Sequence, residues 1–294
     1  MRKAFTVIEI IFVMVVMGII SAATFVSISG IYDEMVQKEA TADMETGVKV
    51  AIEQVAARLS SSIKDSLVAM KIDGSCTNLQ DANKDNEYAL AWIGKSDEAN
   101  LGLWDAVLGD YKPGWSGFVD VGVSSSAAIS SKGSDLAGAQ SIINSVTGRN
   151  DTLSTNSITA IYFHGSSANE NACSELFGNY AASKIYKVKI GADNETFAKV
   201  DKDFANISEQ YTMSHSAYAL IRDTTDASNP KLMLYSFRPW LGEKPSDDKS
   251  PKIIASNVSN FGFKWDNGVF RINICESQTF NGFTAQVCKE RAIF

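Results

Sequence analysis

The chain has 294 residues, of which 45% are apolar and 21% are charged. This composition is typical of an ordered globular protein and excludes a disordered or collagen-like chain. With 27 basic and 34 acidic residues the formal net charge is -7, so the surface lacks the general positive charge that neutralises nucleic-acid phosphates. We therefore expect no direct bulk nucleic-acid binding.

The N-terminal part predicts a helix that spans a membrane. Between Glu9 and Asp33, the 23 residues from Ile10 to Tyr32 carry no charge. As a helix they reach about 35 Å, enough to cross the ~30 Å hydrocarbon core of a bilayer. We place the transmembrane segment at about residues 8–32. Because Arg2-Lys3 precedes it, the N-terminus is predicted in the cytoplasm and the remainder outside, in the periplasm or extracellular space.

Glu9 separates two interpretations of this segment. A secretory signal peptide would show the same basic and apolar regions and would be cleaved near Ala23, after the small residues Ser21-Ala22. A carboxylate inside an apolar segment costs free energy on membrane insertion and usually marks a function. Glu9 therefore argues for a retained helix in which another group compensates the charge.

The same residues resemble the N-terminus of a known superfamily. Ala4, the run from Phe5 to Glu9 and the apolar segment that contains Gly18 are similar in order to the type IV pilins and the type II secretion pseudopilins. The resemblance implies that a prepilin peptidase removes residues 1–4 by cutting between Ala4 and Phe5, and that the new amine is methylated. It also implies that Glu9 meets the N-terminal amine of a neighbouring subunit during assembly.

The resemblance also implies partners, namely other pilin or pseudopilin subunits, the prepilin peptidase, the inner-membrane assembly platform and membrane lipid. Two positions depart from the family pattern. Ala4 stands where Gly is usual, and the Pro that is common in major pilins, which would fall near Val26, is absent. The missing Pro favours a minor subunit.

Beyond Tyr32 the helical pattern continues. Apolar residues recur every three or four positions, with charged residues between them. This apolar stripe consists of Met44, Val48, Ile52, Val55, Leu59, Ile63, Leu67 and Met70. We predict one helix over residues 5–72, with Asp73-Gly74 as its C-terminal end. Its first half would lie in lipid or in a filament core, and its second half would pack under a head at residues 73–294. A bend is expected near Ser27, Ser29 and Gly30.

The remainder predicts a head that is rich in β-strands. Alternating segments are predicted at Tyr88–Ile93, Ile158–Phe163, Lys184–Ile190, Ala217–Arg222, Lys231–Phe237, Phe261–Trp265 and Val269–Ile274. Most are adjacent in sequence, and Asp266-Asn267-Gly268 is a hairpin signal, so we expect an antiparallel sheet against the helix. The fold class is α+β, and a long N-terminal helix on such a sheet is the pilin-like arrangement that the resemblance implies.

Between the strands, two further segments predict short helices, Leu101–Leu108 and Asp135–Val146. Residues 112–157 are rich in Ser and Gly and are interpreted as an insertion or mobile surface. Trp104 and Trp115 are expected to pack locally and not to bind a ligand. The order of elements from Ile253 onward is similar to that of W-class minor pilins and J-type pseudopilins, although other minor classes share it.

The four cysteines all lie in the predicted exported part, and their even number suggests two disulfides. Three pairings are open. Cys275 and Cys288 lie in a hairpin-like region and form the favoured first pair, which would stabilise the fold by about 3 kcal/mol. Cys76 would then pair with Cys173. A four-cysteine zinc site is disfavoured because no closely spaced Cys pair exists.

One acidic run has oxygen ligands at every second position, the spacing with which a loop wraps calcium. It comprises Asp81, Asn83, Asp85 and Glu87. The sixth position is Asn86 where calcium loops have Gly, and the twelfth is Trp92 where they have Glu. A solvated acidic turn is the competing interpretation, and no cofactor other than calcium is expected.

Motifs for catalysis are absent from the sequence. His164 and His215 are its two histidines, and neither lies in a Gly-x-Ser-x-Gly, phosphate-loop or His-Glu-x-x-His pattern. We therefore expect a protein that is not an enzyme: a minor pilin or pseudopilin, placed at a filament tip because its head is large. The alternative is a membrane-anchored periplasmic binding or adhesive protein that uses the same export signal.

Overall fold

A computed structural model describes residues 7–79, 89–165, 171–266, 268–280 and 283–294. Over these residues the fold combines a long N-terminal helix with antiparallel sheets, so the α+β class is confirmed. The helices are α1 (Val7–Ser60), α2 (Asp97–Leu101) and α3 (Leu136–Thr147). The strands, in chain order, are β1 (Val68–Met70), β2 (Cys76–Asn78), β3 (Ala89–Ile93), β4 (Leu103–Asp105), β5 (Asp110–Lys112), β6 (Ala128–Ser130), β7 (Ala160–Phe163), β8 (Ile185–Ile190), β9 (Thr196–Lys199), β10 (Tyr211–Ser214), β11 (Ala217–Asp223), β12 (Lys231–Phe237), β13 (Lys252–Ala255), β14 (Val258–Asp266), β15 (Val269–Phe280) and β16 (Phe283–Ala292).

Helix α1 has 54 residues and is about 80 Å long. It continues without interruption through residues 27–30, where the sequence predicted a bend. It ends at Ser60 and not at residue 72, so the predicted C-terminal boundary is wrong. The cause is local: the hydroxyl of Ser62 donates to the carbonyl of Leu59 at 2.6 Å, and the next amide, that of Ile63, pairs with the carbonyl of Ile93 at 2.9 Å. The chain therefore leaves the helix and joins the sheet.

The main sheet has six strands in the order β13-β12-β11-β3-β1-β2, and a separate sheet has the order β14-β15-β16. The predicted hairpin joins β14 to β15, with Asp266 opposite Val269. The C-terminal half of α1 packs on β13, β15 and β16. Its buried residues, which include Val48, Val55 and Leu59, form one core with Phe270, Ile272 and Ile274 and with the main sheet.

Two ion pairs border this contact between helix and sheet. Lys289 of β16 lies 3.6 Å from Glu45 of α1, and Arg291 pairs with Glu53. All four side chains are substantially exposed, so each pair stabilises the contact by less than about 1 kcal/mol. The apolar core between helix and sheet therefore holds the head on the helix.

A second sheet has five strands in the order β10-β7-β8-β9-β6. Its core includes Trp115, Ile129 and Leu136, so residues 112–157 contribute to a packed layer, and their interpretation as a mobile surface is wrong. The serines are part of the reason. The buried hydroxyls of Ser131 and Tyr211 lie 2.7 Å apart, so this Ser-rich segment satisfies its polar groups inside the protein.

The segment around α2 also differs from its prediction. The helix covers Asp97–Leu101, whereas residues 103–112 form the small hairpin of β4 and β5. Gly102 separates the two because its φ of +74° lies in the left-handed region that favours glycine. The helix predicted at Leu101–Leu108 is therefore wrong, whereas α3 agrees with its prediction to within one residue at each end.

Candidate functional site

The N-terminal half of α1 is exposed over its whole circumference. Every residue from Val7 to Met35 has an exposed surface, and the first buried residue along the helix is Met44. An amphipathic surface helix has one polar face, but this half presents large apolar side chains on all sides. It therefore requires a covering that the rest of the described chain does not provide.

This exposed half has the length and composition of a membrane span. Among the described residues α1 is the single helix that meets both criteria, by length and apolar content alone, with a most apolar stretch of mean hydropathy 2.5. Three of its hydroxyl groups bond within the helix: Thr24 donates to the carbonyl of Ile20 at 2.8 Å, Ser27 to that of Ala23 at 3.0 Å and Ser29 to that of Val26 at 3.0 Å. Such bonds to the preceding turn let hydroxyls enter an apolar environment.

Charged groups stand at both ends of the apolar half. Glu9 lies in the first turn of α1, where a negative charge interacts favourably with the helix dipole. At the other end Glu34 and Lys38 form an exposed ion pair of 2.7 Å, and the hydrogen bond from Lys38 lowers the pKa of Glu34. Exposed Ile8, Phe12 and other apolar side chains surround Glu9 along the helix. Its carboxylate is thus part of the surface that needs covering.

Some predicted site residues lie outside the described parts of the chain. These are the processing residues Ala4 and Phe5 and the calcium candidates Asp81, Asn83, Asp85 and Glu87. Across the described ranges, no group of three or more His, Cys, Asp or Glu residues is arranged to hold a metal ion.

The cysteines form the two pairs that the sequence favoured. Cys275 and Cys288 are directly opposite each other on β15 and β16. Cys76, on strand β2, is bonded to Cys173 across 97 residues of sequence. Since disulfides persist in oxidising compartments, both bonds suit a head outside the cytoplasm.

The two histidines each lie beside a hydroxyl group, and His215 is buried whereas His164 is exposed. His164 Nε2 lies 2.7 Å from the hydroxyl of Thr212, and His215 Nδ1 lies 2.9 Å from that of Ser96. Burial lowers the pKa of both rings, which favours neutral imidazole. The Ser96 hydroxyl belongs to a side chain with no solvent exposure, so a substrate cannot reach it as it could a catalytic nucleophile.

Glu276 is a buried acid that the sequence analysis did not identify. It continues the inward row of β15 formed by Phe270, Ile272 and Ile274, and it is only 8% exposed. A Cβ at Gly47 of α1 would lie 3.2 Å from its carboxylate oxygen. Burial raises the pKa of Glu276 to about 6. The two-residue period from Phe270 onward is the signal that places this acid on the core face.

Comparisons of the chain with protein-family models, with curated proteins and with solved structures give no significant match. Function is therefore inferred from α1, whose two halves differ so sharply in exposure. One half anchors the head through its apolar core, and the other presents an apolar cylinder with Glu9 near its start.

Proposed function

We propose that this protein is a minor subunit of a type IV pilus or a type II secretion pseudopilus. In this proposal α1 holds the subunit in the inner membrane, with the N-terminus in the cytoplasm and the head in the periplasm. A prepilin peptidase cuts between Ala4 and Phe5, and the subunit then leaves the bilayer to join a helical filament. The single observation that carries the proposal is the exposed apolar half of α1, continuous with a half that is buried in the head.

The shape of α1 suits a change from one apolar covering to another. Residues 10–32 form an uncharged, largely apolar cylinder in which Thr24, Ser27 and Ser29 bond to the preceding turn, so both lipid and the apolar faces of neighbouring helices are suitable coverings. The head does not need to unfold during the transfer because its core uses α1 only from Met44 onward. The folded head and the exposed half of α1 can thus be transferred together from the membrane to the filament.

Glu9 supplies the specificity in this proposal. When a neighbouring helix covers the apolar surface around it, the ionised carboxylate loses water, and a cation contributed by the neighbour would offset that loss. The N-terminal amine that cleavage creates at Phe5 of an adjacent subunit would provide that cation. Burying the carboxylate without such a partner costs about 3–5 kcal/mol, enough to favour one axial position of the subunit over others.

The first experiment concerns incorporation into filaments. The variant Glu9→Ala is compared with Glu34→Gln, which removes another carboxylate from the same helix but outside the apolar segment. We expect Glu9→Ala to reduce the subunit in sheared filament fractions at least tenfold while its amount in the membrane stays unchanged, and Glu34→Gln to behave as wild type. Normal filament assembly, secretion and DNA uptake with Glu9→Ala would contradict the proposal.

The second experiment concerns processing. N-terminal sequencing of the mature protein should give Phe5 as the first residue, carrying a methylated amine. A mature chain that begins at Thr24 would show a cleaved secretory signal and the loss of the helix on which assembly depends.

The finer position of the subunit is also part of the proposal. A head of this size projecting from α1 suits a filament tip better than a repeated position along the shaft, and the order of the C-terminal elements suits a W-class or J-type subunit. Antibody labelling at filament ends would support the tip position, and uniform labelling along the shaft would refute it.

A membrane-anchored binding or adhesive protein is the second candidate. The observation that favours it is the exposed apolar hairpin of β4 and β5, which has no role in assembly through α1. Such a protein would keep the membrane helix but would not depend on Glu9, so the Glu9→Ala experiment distinguishes the two candidates.

A further inference from the structure

The hairpin formed by β4 and β5 exposes large apolar side chains far from α1 in sequence. Val107 in its turn is 95% exposed, Tyr111 61% and Trp104 58%, and Leu108 is similarly exposed. These four large apolar side chains are exposed within eight residues of sequence, and exposed apolar clusters often mark interaction sites.

Local hydrogen bonds fix the backbone of the turn that carries Val107 and Leu108. The carboxylate of Asp105 accepts hydrogen bonds from the amides of Val107 at 2.8 Å and Leu108 at 3.2 Å. The amide of Gly109 donates to the carbonyl of Asp105 at 2.9 Å. The turn backbone is thus fixed by its own hydrogen bonds while its apolar side chains are exposed, so binding would order little additional backbone.

The base of the hairpin is equally well fixed. A Cβ at Gly102 would lie only 1.8 Å from the carbonyl oxygen of Lys112, and one at Gly114 would lie 2.2 Å from that of Ala99. The backbones therefore touch where the hairpin leaves α2, and no side chain fits between them. The base of the hairpin is therefore held against the end of α2 by close backbone contacts.

The aromatic side chains share one face. Trp104 is opposite Tyr111 in the strand register, and their rings meet edge to face with centroids 5.4 Å apart. Trp and Tyr are the residue types most often found at the energetic centre of protein interfaces. A partner that buries this pair would gain a large apolar contact area.

The charge around the patch limits the partner. Asp105 and Asp110 belong to the hairpin, and Asp97 and Glu98 lie in the adjoining helix α2, so residues 95–112 carry four acidic side chains against two cations, Lys95 and Lys112. This acidic border repels anionic lipid headgroups and attracts a surface that carries Lys or Arg. The combination therefore favours a protein partner over a membrane.

We propose that the hairpin, residues 102–112, is a docking site for a second protein that presents an apolar groove bordered by Lys and Arg side chains. Trp104, Tyr111, Val107 and Leu108 fill the groove, and the acidic border pairs with its basic rim. The proposal does not depend on assembly through α1, because it uses a separate surface of the head.

Site-specific photo-crosslinking in the full chain tests this proposal. Val107→p-benzoylphenylalanine places the reactive group at the tip, in cells that produce the protein. Ile253→p-benzoylphenylalanine, at an exposed apolar position on β13, is the matched control. We expect one dominant adduct from position 107 that is absent from position 253, with a protein identified by mass spectrometry whose crosslinked segment joins apolar residues to Lys or Arg.

Two further substitutions make the test specific. Trp104→Ala should reduce the adduct at least tenfold, and Asp110→Asn, which keeps an oxygen acceptor for the Tyr111 amide but removes the charge, should reduce it several-fold. Circular dichroism and intact disulfides verify that both variants fold. An adduct with a second copy of this chain, with lipid or with a protein segment lacking basic residues would overturn the proposal. So would an adduct no stronger than that at position 253, or one unaffected by both substitutions.

Discussion

Glu276 offers a sharp test of the contact between α1 and the β14-β15-β16 sheet. The carboxyl group faces Gly47 of the helix, and its neighbours across the strands are Val258 on β14 and Val287 on β16. The perturbation is Glu276→Gln, which keeps the size of the side chain but removes its ionisation. Because the cost of Glu276 arises from ionising a buried group, the effect of the substitution must depend on pH.

The magnitude follows from the pKa of Glu276. Burial raises that pKa from 4.5 to about 6, a difference of about 1.5 units or about 2 kcal/mol. Between these two pH values the folded state binds more protons than the unfolded state, so the stability of the wild type falls as the pH rises. Below pH 4.5 this contribution to stability is fully present, and above pH 6 it is lost. The Glu276→Gln variant has no such dependence.

The assay measures the free energy of unfolding of both proteins in detergent micelles, by urea titration with tryptophan fluorescence, between pH 4 and pH 7.5. We expect Glu276→Gln to gain about 2 kcal/mol relative to wild type over this range. His164 and His215 titrate in both proteins, so their contributions cancel in the difference. A constant offset from the hydrogen bonds of the amide also cancels, because only the change with pH is used.

A difference that stays constant with pH to within about 0.5 kcal/mol would refute the reasoning, since pKa shift and stability are linked. A difference that changes in the opposite direction would show that the ionised carboxylate makes a net stabilising interaction in the fold.

Three further predictions concern the core, the disulfide and the hairpin. Leu59→Ala should lower the free energy of unfolding by about 2–5 kcal/mol because it opens a cavity where α1 meets the sheet; a loss below about 1 kcal/mol in urea titration would contradict that packing. Replacing both Cys275 and Cys288 by Ser should cost about 3 kcal/mol for the loop they close, and a thermal midpoint unchanged from wild type would contradict it. Gly102→Ala should separate the hairpin from the end of α2, because the added Cβ would meet the carbonyl oxygen of Lys112. Faster hydrogen exchange at residues 103–112 would confirm this prediction, and unchanged exchange would contradict it.

Periodicity predicted those elements whose partners are close in sequence. Strand β12 has the predicted bounds of Lys231–Phe237, because its alternation faces a core on one side. Helix α3 is marked by Asp135, which caps it by accepting a hydrogen bond from the amide of Gly138 at 3.2 Å. In both cases the decisive interactions are local, so a single sequence contains them.

The incorrect predictions concern segments whose structure depends on residues that are distant in sequence. Ile63, Leu67 and Met70 keep the helical spacing of α1, yet they lie in a turn and a strand, where Leu67 joins the core of α1 and Ile63 and Met70 join a second core cluster. Apolar spacing alone cannot separate these arrangements, whereas the pairing of Ile63 with Ile93 does. In the same way the partner of Ser131, Tyr211, lies 80 residues away, so the Ser content of residues 112–157 gave no sign of burial.

The exposed hairpin could not be found from sequence for a related reason. Trp104, Val107 and Leu108 are residue types that normally lie inside a protein, and only the three-dimensional arrangement shows that they point outward. The exposed half of α1 could be predicted from sequence because its length and its lack of charge are properties of the segment itself.

The placement of α1 also determines how the head responds to mechanical force. A force applied to the exposed half of α1 along the helix axis loads the contact with β13, β15 and β16 in shear. The load is then borne at the same time, and not in sequence, by Val48, Ile52, Val55 and Leu59. The Cys275–Cys288 bond covalently links β15 and β16, the two strands on which most of the buried half of α1 packs. Tension on the exposed half of α1 is therefore distributed over the whole contact between the helix and the head.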